Sequence, residues 1–254
     1  MVAYIKTEWR EFLDYWVFVA GMCARIRRAD LVSSQLVQQV YAVGVRSLPT
    51  TVTAGLFVGA IMAIQIRVQL ADYGAEVFLG GLSSSVTLRH VGPVLIAFLL
   101  SGKVGAYTSA ELATMQVTDQ VDALRCLGVD PIRFLVVPRF IAVTVSSFLL
   151  LLVGLMLTIA GGVLVLTVRY HVSPALFFSQ VPRIVTVHSL EMGTLKSLLF
   201  GALLGTISCF QGYIAKGGAA GVGECVRKTA VLNLVWIVLL DYGLSVVENL
   251  WGIS

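Results

Sequence analysis

The chain has 254 residues, of which 57% are hydrophobic and only 13% are charged, and its formal net charge is +4. Its mean hydropathy of +0.89 lies outside the range of soluble domains, so the composition excludes a soluble protein and predicts an integral membrane protein. In a membrane protein a modest excess of Lys and Arg is typical of cytoplasmic loops, so the basic balance does not indicate nucleic-acid binding.

The first predicted element is an amphipathic helix at residues 1–28. Apolar side chains recur there at steps of three and four residues, and a basic cluster follows them. This pattern predicts a helix that lies in the membrane interface, with the basic cluster against an anionic leaflet. Acidic residues precede its apolar run and no cleavage motif follows, which argues against a signal peptide.

Five apolar stretches follow that are long enough to cross a bilayer, whose hydrocarbon core needs about 20 helical residues. The predicted spans are residues 48–66, 77–102, 140–168, 195–215 and 229–247. The fold class predicted is therefore an all-α integral membrane protein with five transmembrane helices, forming a single domain over residues 1–254. A short helix is also expected after Ser173-Pro174, a favourable cap and first-turn pair.

Two spans carry pairs of glycines at the GxxxG spacing, which permits close contact between helices. The pairs are Gly55 with Gly59 and Gly201 with Gly205. A further glycine-rich stretch at 217–223 does not follow a strand, so it is expected to form a tight turn rather than to cradle a phosphate.

A polar segment separates the second and third spans, and residues 104–128 are predicted to form one amphipathic helix there. Its apolar face comprises Ala110, Ala113, Val117, Val121 and Leu124. Its polar face comprises Glu111, Thr118, Asp119, Asp122 and Arg125. Gly128 and Asp130-Pro131 end the helix. Such a helix suits contact with a soluble partner, and a solvated loop helix without a partner is the alternative.

The distribution of basic residues predicts the orientation of the chain in the membrane. With the N-terminus in the cytoplasm, 13 of the 18 Lys and Arg residues are cytoplasmic. This orientation places the polar helix in the cytoplasm and, because five spans are an odd number, the C-terminus on the outer side.

Ionisable side chains inside spans are energetically costly, so they are candidates for function. Arg89, His90, Lys196 and Asp241 are predicted to lie in or near the outer half of the membrane, where they could line a cavity for an anionic amphiphile. The alternative is structural, with Arg89 and Asp241 forming an ion pair and Lys196 snorkelling to the interface.

No motif for catalysis, nucleotide binding or metal binding is found in the sequence. Gly102-Lys103 lacks the P-loop context, no serine has the context of a hydrolase nucleophile, and the His and Cys residues lack metal-ligand spacing. The chain is therefore predicted to be non-catalytic, without a metal or cofactor of its own, and its four cysteines are expected to be reduced thiols near the cytoplasmic side.

The polar segment ELATMQVTDQVDALRCLGVDPIRFLVVPR, residues 111–139, closely resembles the signature of the MlaE family, the permease subunits of MCE-type ABC transporters that move lipids. The resemblance extends over residues 48–247. It is carried further by GLFVGAIMAIQ at 55–65, RHVGPVLIAFLLSGKVGA at 89–106, GGAAGVG at 217–223 and LLDYGLSVV at 239–247.

The resemblance implies a homodimeric permease of a bacterial inner membrane, paired with cytoplasmic ATPase subunits that bind ATP and Mg. It also implies an MCE-domain protein on the outer side and phospholipid as the default cargo. The polar helix would be the coupling helix, contacting the ATPase through Glu111, Thr118, Asp119, Asp122, Leu124 and Arg125. The lipid cavity would be lined by Gln65, Tyr73, Arg89, His90 and Lys196, to which the intramembrane charges add Asp241.

Three residues depart from the family pattern, and the mildest departure is Lys103 in place of the usual Arg. His90 stands where relatives usually carry Glu, which makes the predicted cavity more basic, and Arg125 stands where an acidic residue is common. The competing function is a stand-alone secondary transporter or channel in which Arg89, His90 and Asp241 relay ions, and it requires no ATPase.

Overall fold

The computed structural model describes the backbone of residues 2–26 and 33–250, and the side chains of residues 13–26, 36–75 and 77–250. The described part is helical and contains no strand. Five helical runs in it are long and apolar enough to cross a membrane, namely Leu36–Ala71, Leu79–Val117, Ile132–Tyr170, Val187–Tyr213 and Gly218–Leu250. The predicted fold class, an all-α integral membrane protein with five spans, is confirmed.

The helices follow one another with short connections. The first half comprises α1 Val2–Ile26, α2 Ser33–Val43, α3 Leu48–Ala71, α4 Leu79–Val86, α5 Gly92–Leu100, α6 Ala106–Val117 and α7 Gln120–Cys126. The second half comprises α8 Val137–Tyr170, α9 Pro174–Ile184, α10 Val187–Tyr213 and α11 Gly218–Leu250. The apolar runs predict shorter spans than these helices, because polar residues at the ends continue the helix without being apolar. At the start of α11, for example, Glu224 and Arg227 form an ion pair one turn apart.

Three stretches of π-helix interrupt the regular turns, at Thr87–Val91, Ser101–Gly105 and Ile132–Val136. Two of them have a chemical cause, since Pro93 and Pro138 follow them closely. A proline has no N–H to donate, and its ring clashes with the carbonyl four residues earlier, which here is that of Arg89 or Phe134. The first π-helix therefore sets the direction of Arg89 and His90.

The N-terminal helix α1 confirms the helix predicted near the N-terminus, up to Ile26, while residues 27 and 28 lie outside the described residues. Phe18 packs on Phe210 with ring centroids 5.4 Å apart, and Met22 is fully buried. Trp16 and Val17 are exposed. One face of α1 thus packs on the bundle, and its outer apolar residues are free to enter a membrane interface.

The contact between α3 and α8 depends on glycines. A Cβ on Gly59 would lie 1.7 Å from the Thr158 carbonyl oxygen, and one on Gly55 would lie 2.8 Å from that of Gly154. The backbones therefore touch directly, and the regular step along both chains means that the two helices run parallel. Gly201 makes a similar approach to the Thr144 carbonyl on α8, at 2.9 Å. The close packing expected from the GxxxG spacing is present in both spans.

The prediction of one continuous helix over residues 104–128 is wrong at its centre. Helix α6 ends at Val117 as the continuation of the second span, and α7 is a separate helix of 7 residues. Asp119 has φ 59°, a left-handed conformation that Asp tolerates better than most residues, so the chain turns there. The predicted end is present, since Gly128 adopts φ 76° after α7.

The outer connection contains the short helix expected from the sequence. Helix α9 begins at Pro174, and the Ser173 hydroxyl caps it by accepting a hydrogen bond from the Leu176 N–H at 3.2 Å. Gly80 and Gly81 of α4 lie directly against α9, where an added Cβ would meet the carbonyl oxygens of Phe177 and Gln180. The connection therefore packs on the bundle through α4.

Candidate functional site

The charged residues of the spans converge at one end of the bundle, which we call the Lys196 end. Lys196 on α10 is 0% exposed, and its Nζ donates a hydrogen bond to Asp241 Oδ1 on α11 at 2.7 Å. Ser245 Oγ lies 3.4 Å from the same nitrogen. The alternative in which Lys196 snorkels to the interface is wrong, because the side chain is enclosed between two spans. The pair links α10 to α11 inside the membrane region.

Arg89 forms the second ion pair of this cluster, and its partner is Glu248. Arg89 Nε donates to Glu248 Oε1 at 3.0 Å, and Nη2 donates to the same oxygen. Glu248 is 5% exposed. The predicted alternative of an Arg89–Asp241 ion pair is therefore wrong in its partner, since Asp241 is held by Lys196. Both cations of the cluster face a carboxylate, so it is less basic than the sequence suggests.

Glu248 is not among the predicted site residues, because the apolar run of the fifth span ends at residue 247. Its position carries a signal nevertheless. Asp241, Ser245 and Glu248 are spaced i, i+4 and i+7, so they share one face of α11. Glu248 thus brings a carboxylate from α11 to Arg89. Continuing the helical period past the apolar run would have found it.

The two histidines near this cluster differ in their surroundings. His188, in the first turn of α10, has Nε2 3.7 Å from Glu248 Oε1 and Nδ1 3.9 Å from Glu191. His90 is exposed beside Arg89. His188 is not among the predicted site residues, and the structure places it close to the carboxylate that Arg89 uses.

Gln65 and Tyr73 are not drawn into the cluster of charges. Gln65 is exposed on α3, and Tyr73, just beyond the end of α3, is 85% exposed. In the described part of the chain neither side chain forms a hydrogen bond. Of the six predicted cavity residues, Arg89, Lys196 and Asp241 are held in ion pairs and His90 lies next to them. Gln65 and Tyr73 are exposed, on α3 and just beyond its end.

The opposite end of the bundle carries α7, and we call it the α7 end. Lys196 and Tyr213 are 17 residues apart on α10, which corresponds to about 25 Å along a helix. Arg125 of α7 donates to the Tyr213 hydroxyl at 2.7 Å and to Asp122 Oδ1 at 2.6 Å. The hydrogen bond to Tyr213 is the main cause that raises the pKa of Arg125. Helix α7 is thereby tied to the last turn of α10.

A second link joins the α7 end to α1. Arg25 Nε donates to Asp130 Oδ2 at 2.5 Å, and the Ile132 backbone N–H donates to Oδ1 at 3.0 Å. Partial burial raises the pKa of Asp130, but these hydrogen bonds outweigh it and hold that pKa below its usual value. The turn after α7 therefore has a fixed position relative to α1.

The residues predicted to contact an ATPase divide into two groups. Thr118, Asp119, Asp122 and Arg125 are exposed and Leu124 is partly buried, while the neighbouring Val121 is fully buried and anchors α7. Leu127, next to α7, is 77% exposed and is absent from the predicted set although its apolar side chain would favour a partner surface.

Glu111 is partly buried and forms contacts within the bundle instead. Arg139 Nη2 donates to Glu111 Oε1 at 2.8 Å, and Gln39 Nε2 donates to the same oxygen at 3.3 Å. These bonds connect α6 with α8 and α2, so the carboxylate of Glu111 is already engaged by the bundle itself.

Within residues 2–26 and 33–250, no group of three or more His, Cys, Asp and Glu residues could hold a metal ion. The four cysteines are free thiols, Cys23 and Cys126 exposed and Cys209 and Cys225 buried. What the described arrangement can do chemically is hold charges inside an apolar bundle and present a short polar helix at one end.

Known proteins resemble this chain along nearly all of its length. Residues 36–247 match the family described as Permease MlaE. A probable ABC transporter permease protein of Synechocystis is 34% identical over 92% of this chain and 87% of its own length. One of Rickettsia conorii is 31% identical over 90% of this chain and 88% of its own. The chloroplastic protein TRIGALACTOSYLDIACYLGLYCEROL 1 of Arabidopsis thaliana is 31% identical over 94% of this chain and 68% of its own. The chain is a multi-pass membrane permease subunit, and it belongs to the MlaE permease family.

Proposed function

We propose that this permease is the membrane subunit of an ATP-driven ABC transporter that moves phospholipid or a related lipid between a bacterial inner membrane and an MCE-domain protein on the outer side. The observation that carries the proposal is the ionic cluster of Lys196, Asp241, Arg89 and Glu248 within an otherwise apolar bundle. A site that joins charged groups to apolar walls suits a molecule with a polar head and apolar chains.

The exposed face of α11 supports a second copy of the chain as a partner. Only a few of its residues are buried, and they share one stripe: Cys225, Thr229, Asn233, Ile237 and Glu248. Beyond the polar first turns of α11, the remaining surface is largely apolar and includes Val231, Val235, Val238, Leu239 and Tyr242. Two such faces, brought together beside the ionic cluster, would enclose a shared cavity with apolar walls. The homodimer is therefore part of the proposal.

The α7 end supports a cytoplasmic ATPase as the second partner. Helix α7 presents polar side chains and Leu127, while Arg125 and Asp130 attach it to α10 and α1. A push on α7 would therefore be carried into two helices rather than absorbed by a loose loop. The ATPase would bind ATP and Mg and carry out hydrolysis, since this chain has no nucleotide motif, and the permease itself would remain non-catalytic.

The orientation in the proposal follows the positive-inside rule. The N-terminus and α7 face the cytoplasm, and the C-terminus and the Lys196 end face the periplasm. The name of the Arabidopsis relative contains that of a glycolipid, trigalactosyldiacylglycerol, which supports a lipid as the transported class.

The deciding experiment is mass spectrometry of the complex purified gently through this subunit, reading proteins and lipids together. The proposal expects an ATPase, an MCE-domain protein, two copies of the permease and bound phospholipid. A lone chain that transports ions without an ATPase would instead establish the secondary-transporter alternative. Asp241, which that alternative would use as an ion relay, forms its ion pair with Lys196.

A variant makes the lipid assignment specific. Lys196→Glu places a carboxylate beside Asp241 and is expected to reduce bound lipid while the ATPase still co-purifies. The matched control is Lys228→Glu, which reverses a charge on α11 far from the cluster. Unchanged lipid in the Lys196 variant would refute a headgroup-binding role for the cluster.

A further inference from the structure

A set of three cavities lies at the α7 end, and Glu111 lines all three. They have volumes of about 210, 390 and 480 Å³. Gln38 and Gln39 of α2, Tyr107 and Met115 of α6, and Arg139 of α8 contribute to their walls. We call this adjoining set the Glu111 groove. It is open on one side and lies at the opposite end of the bundle from Lys196.

Arg139 is the unusual residue of this groove. Its side chain is almost completely buried, and of its three nitrogens only Nη2 has hydrogen-bond partners, Glu111 Oε1 at 2.8 Å and Met115 Sδ at 3.3 Å. Nε and Nη1 are buried without an acceptor. Unsatisfied N–H groups on a buried guanidinium are costly, so an acceptor that reached them would bind favourably.

The acceptor that this position favours is an oxyanion. A guanidinium pairs best with a planar or tetrahedral oxyanion that takes two of its N–H groups, and phosphate has this geometry. Met115 contributes only a thioether, a weak acceptor on a flexible, unbranched side chain. A phosphate oxygen could therefore displace Met115 from Arg139 at little conformational cost.

Glu111 limits which phosphate can bind. Its carboxylate lies beside Arg139, and besides Arg139 it receives only long hydrogen bonds from Gln39, at 3.3 and 3.4 Å. It would repel a headgroup of net negative charge and attract an ammonium next to the phosphate. A primary ammonium also donates hydrogen bonds to Glu111, Gln38 and Gln39, which a quaternary ammonium cannot do.

The rest of the groove is suited to acyl chains. Val37, Tyr41, Tyr107, Ala110 and Phe134 line its cavities. Val37 and Tyr41 are exposed on α2, in the run that forms the first span, so a lipid could enter from the side of the bundle. The groove thus has a charged end with both signs and an apolar body.

We propose that the Glu111 groove is a binding site for a zwitterionic glycerophospholipid with a primary ammonium headgroup, such as phosphatidylethanolamine. Its phosphate contacts Arg139 and its ammonium contacts Glu111. The inference rests on the proposed lipid function and extends it, because it adds a site at the end of the bundle opposite the ionic cluster. A lipid could then be held at the α7 end as well as at the Lys196 end.

The test places a photo-crosslinking amino acid at Tyr41, which lines the groove, and at Leu149 on α8 as a matched exposed control outside both proposed lipid sites. The purified complex is reconstituted in vesicles of equal parts phosphatidylethanolamine, phosphatidylglycerol and phosphatidylcholine with identical acyl chains. Mass spectrometry reads the crosslinked products. Position 41 is expected to enrich phosphatidylethanolamine several-fold, while position 149 reports the bulk composition.

Two variants test the mechanism. Glu111→Gln keeps the size of the side chain and removes the charge, so enrichment at position 41 should fall to the bulk ratio. Met115→Trp fills the groove and should reduce crosslinking of all three lipids, which keeps the test usable if Glu111→Gln destabilises the protein. Inorganic phosphate at millimolar concentration should not compete, because the acyl chains contribute to binding.

Several outcomes would overturn the inference. One is that the lipids crosslinked at position 41 have the bulk ratio, and another is that phosphatidylglycerol or phosphatidylcholine is preferred there. The others are crosslinks from position 41 to a second protein chain and full competition by inorganic phosphate. If the bulk ratio is found while lipid still co-purifies in a Lys196-dependent way, the groove fails and the proposed function stands. If position 41 enriches phosphatidylethanolamine in a protein that has no ATPase partner, the groove stands and the proposed function fails.

Discussion

The two ends of the bundle use the same kind of interaction in different environments. At the Lys196 end the ion pairs join different spans and are buried, with Lys196 0% and Glu248 5% exposed. At the α7 end the ion pairs of Arg125 and Arg25 are at least one-third exposed and hold a short helix against the bundle. A buried pair cannot lose one partner without leaving an uncompensated charge, whereas an exposed pair is replaced by water.

Because of this difference, we expect one end to govern the stability of the fold and the other to govern the position of α7. The Lys196 end should dominate the free energy of unfolding, because its charges are inside the membrane region. The α7 end should contribute little to unfolding and much to where α7 sits, which matters for a partner that binds there. Variants at the two ends test whether they differ in this way.

The largest effect is expected for Lys196→Met, which leaves Asp241 without its cation between α10 and α11. Removing one partner of a buried ion pair typically costs about 3–5 kcal/mol of the free energy of unfolding. Denaturant or thermal unfolding of the purified protein measures the loss. Lys196→Met combined with Asp241→Asn should recover most of it, and a single variant as stable as the wild type would contradict the contrast.

The next effect is expected for Glu248→Gln, which removes the charge that Arg89 faces while keeping the size of the side chain. A loss of about 2–3 kcal/mol is expected, since a buried hydrogen bond to a charged group is lost but an amide oxygen remains as an acceptor. Val247→Ala, a neighbouring exposed position, is the control for the same unfolding measurement. Equal stability of the two variants would mean that Glu248 is not a structural partner.

Reversing two charges at the α7 end should act on assembly instead. Asp119→Arg with Asp122→Arg is expected to cost no more than about 2 kcal/mol of the free energy of unfolding. Both residues are exposed, and most of the cost comes from placing Arg in the left-handed conformation of residue 119. The affinity for the ATPase should fall about tenfold or more, since like charges across an interface are unfavourable. Quantitative co-purification measures it, with Asp72→Arg at the other end as the control. Undiminished co-purification would remove α7 as the ATPase contact.

The smallest effect concerns Asp130 and depends on pH. Because its pKa is lowered in the folded protein, the Arg25–Asp130 link stabilises the fold above the unfolded pKa of about 3.9 and is lost as pH falls through the folded pKa. The contribution should stay below about 1 kcal/mol, since both side chains are partly exposed. Unfolding measured at pH 7 and at pH 3 for wild type and Asp130→Asn tests it. The difference between them should be present at pH 7 and decrease at pH 3.

The local sequence determined the membrane spans, the close helix contacts and two of the helix ends. The five spans follow from apolar runs that cannot remain in water, and the close helix contacts follow from glycines spaced four apart. Gly128 and Ser173 act on their own neighbours, so the end of α7 and the start of α9 could be predicted from a few adjacent residues. These features depend on residues that are close in the chain, so they can be predicted without knowing the tertiary structure.

The partners of the charges were decided only by the tertiary structure. Arg89 meets Glu248, 159 positions away, and Lys196 meets Asp241, 45 positions away, because α11 packs against α10 and brings one polar stripe to both cations. In the same way, Glu111 meets Arg139, 28 positions away, although periodicity alone assigns Glu111 to the polar face of a helix. Periodicity assigns a residue to a face of its helix, but which element that face meets depends on the packing of the whole bundle.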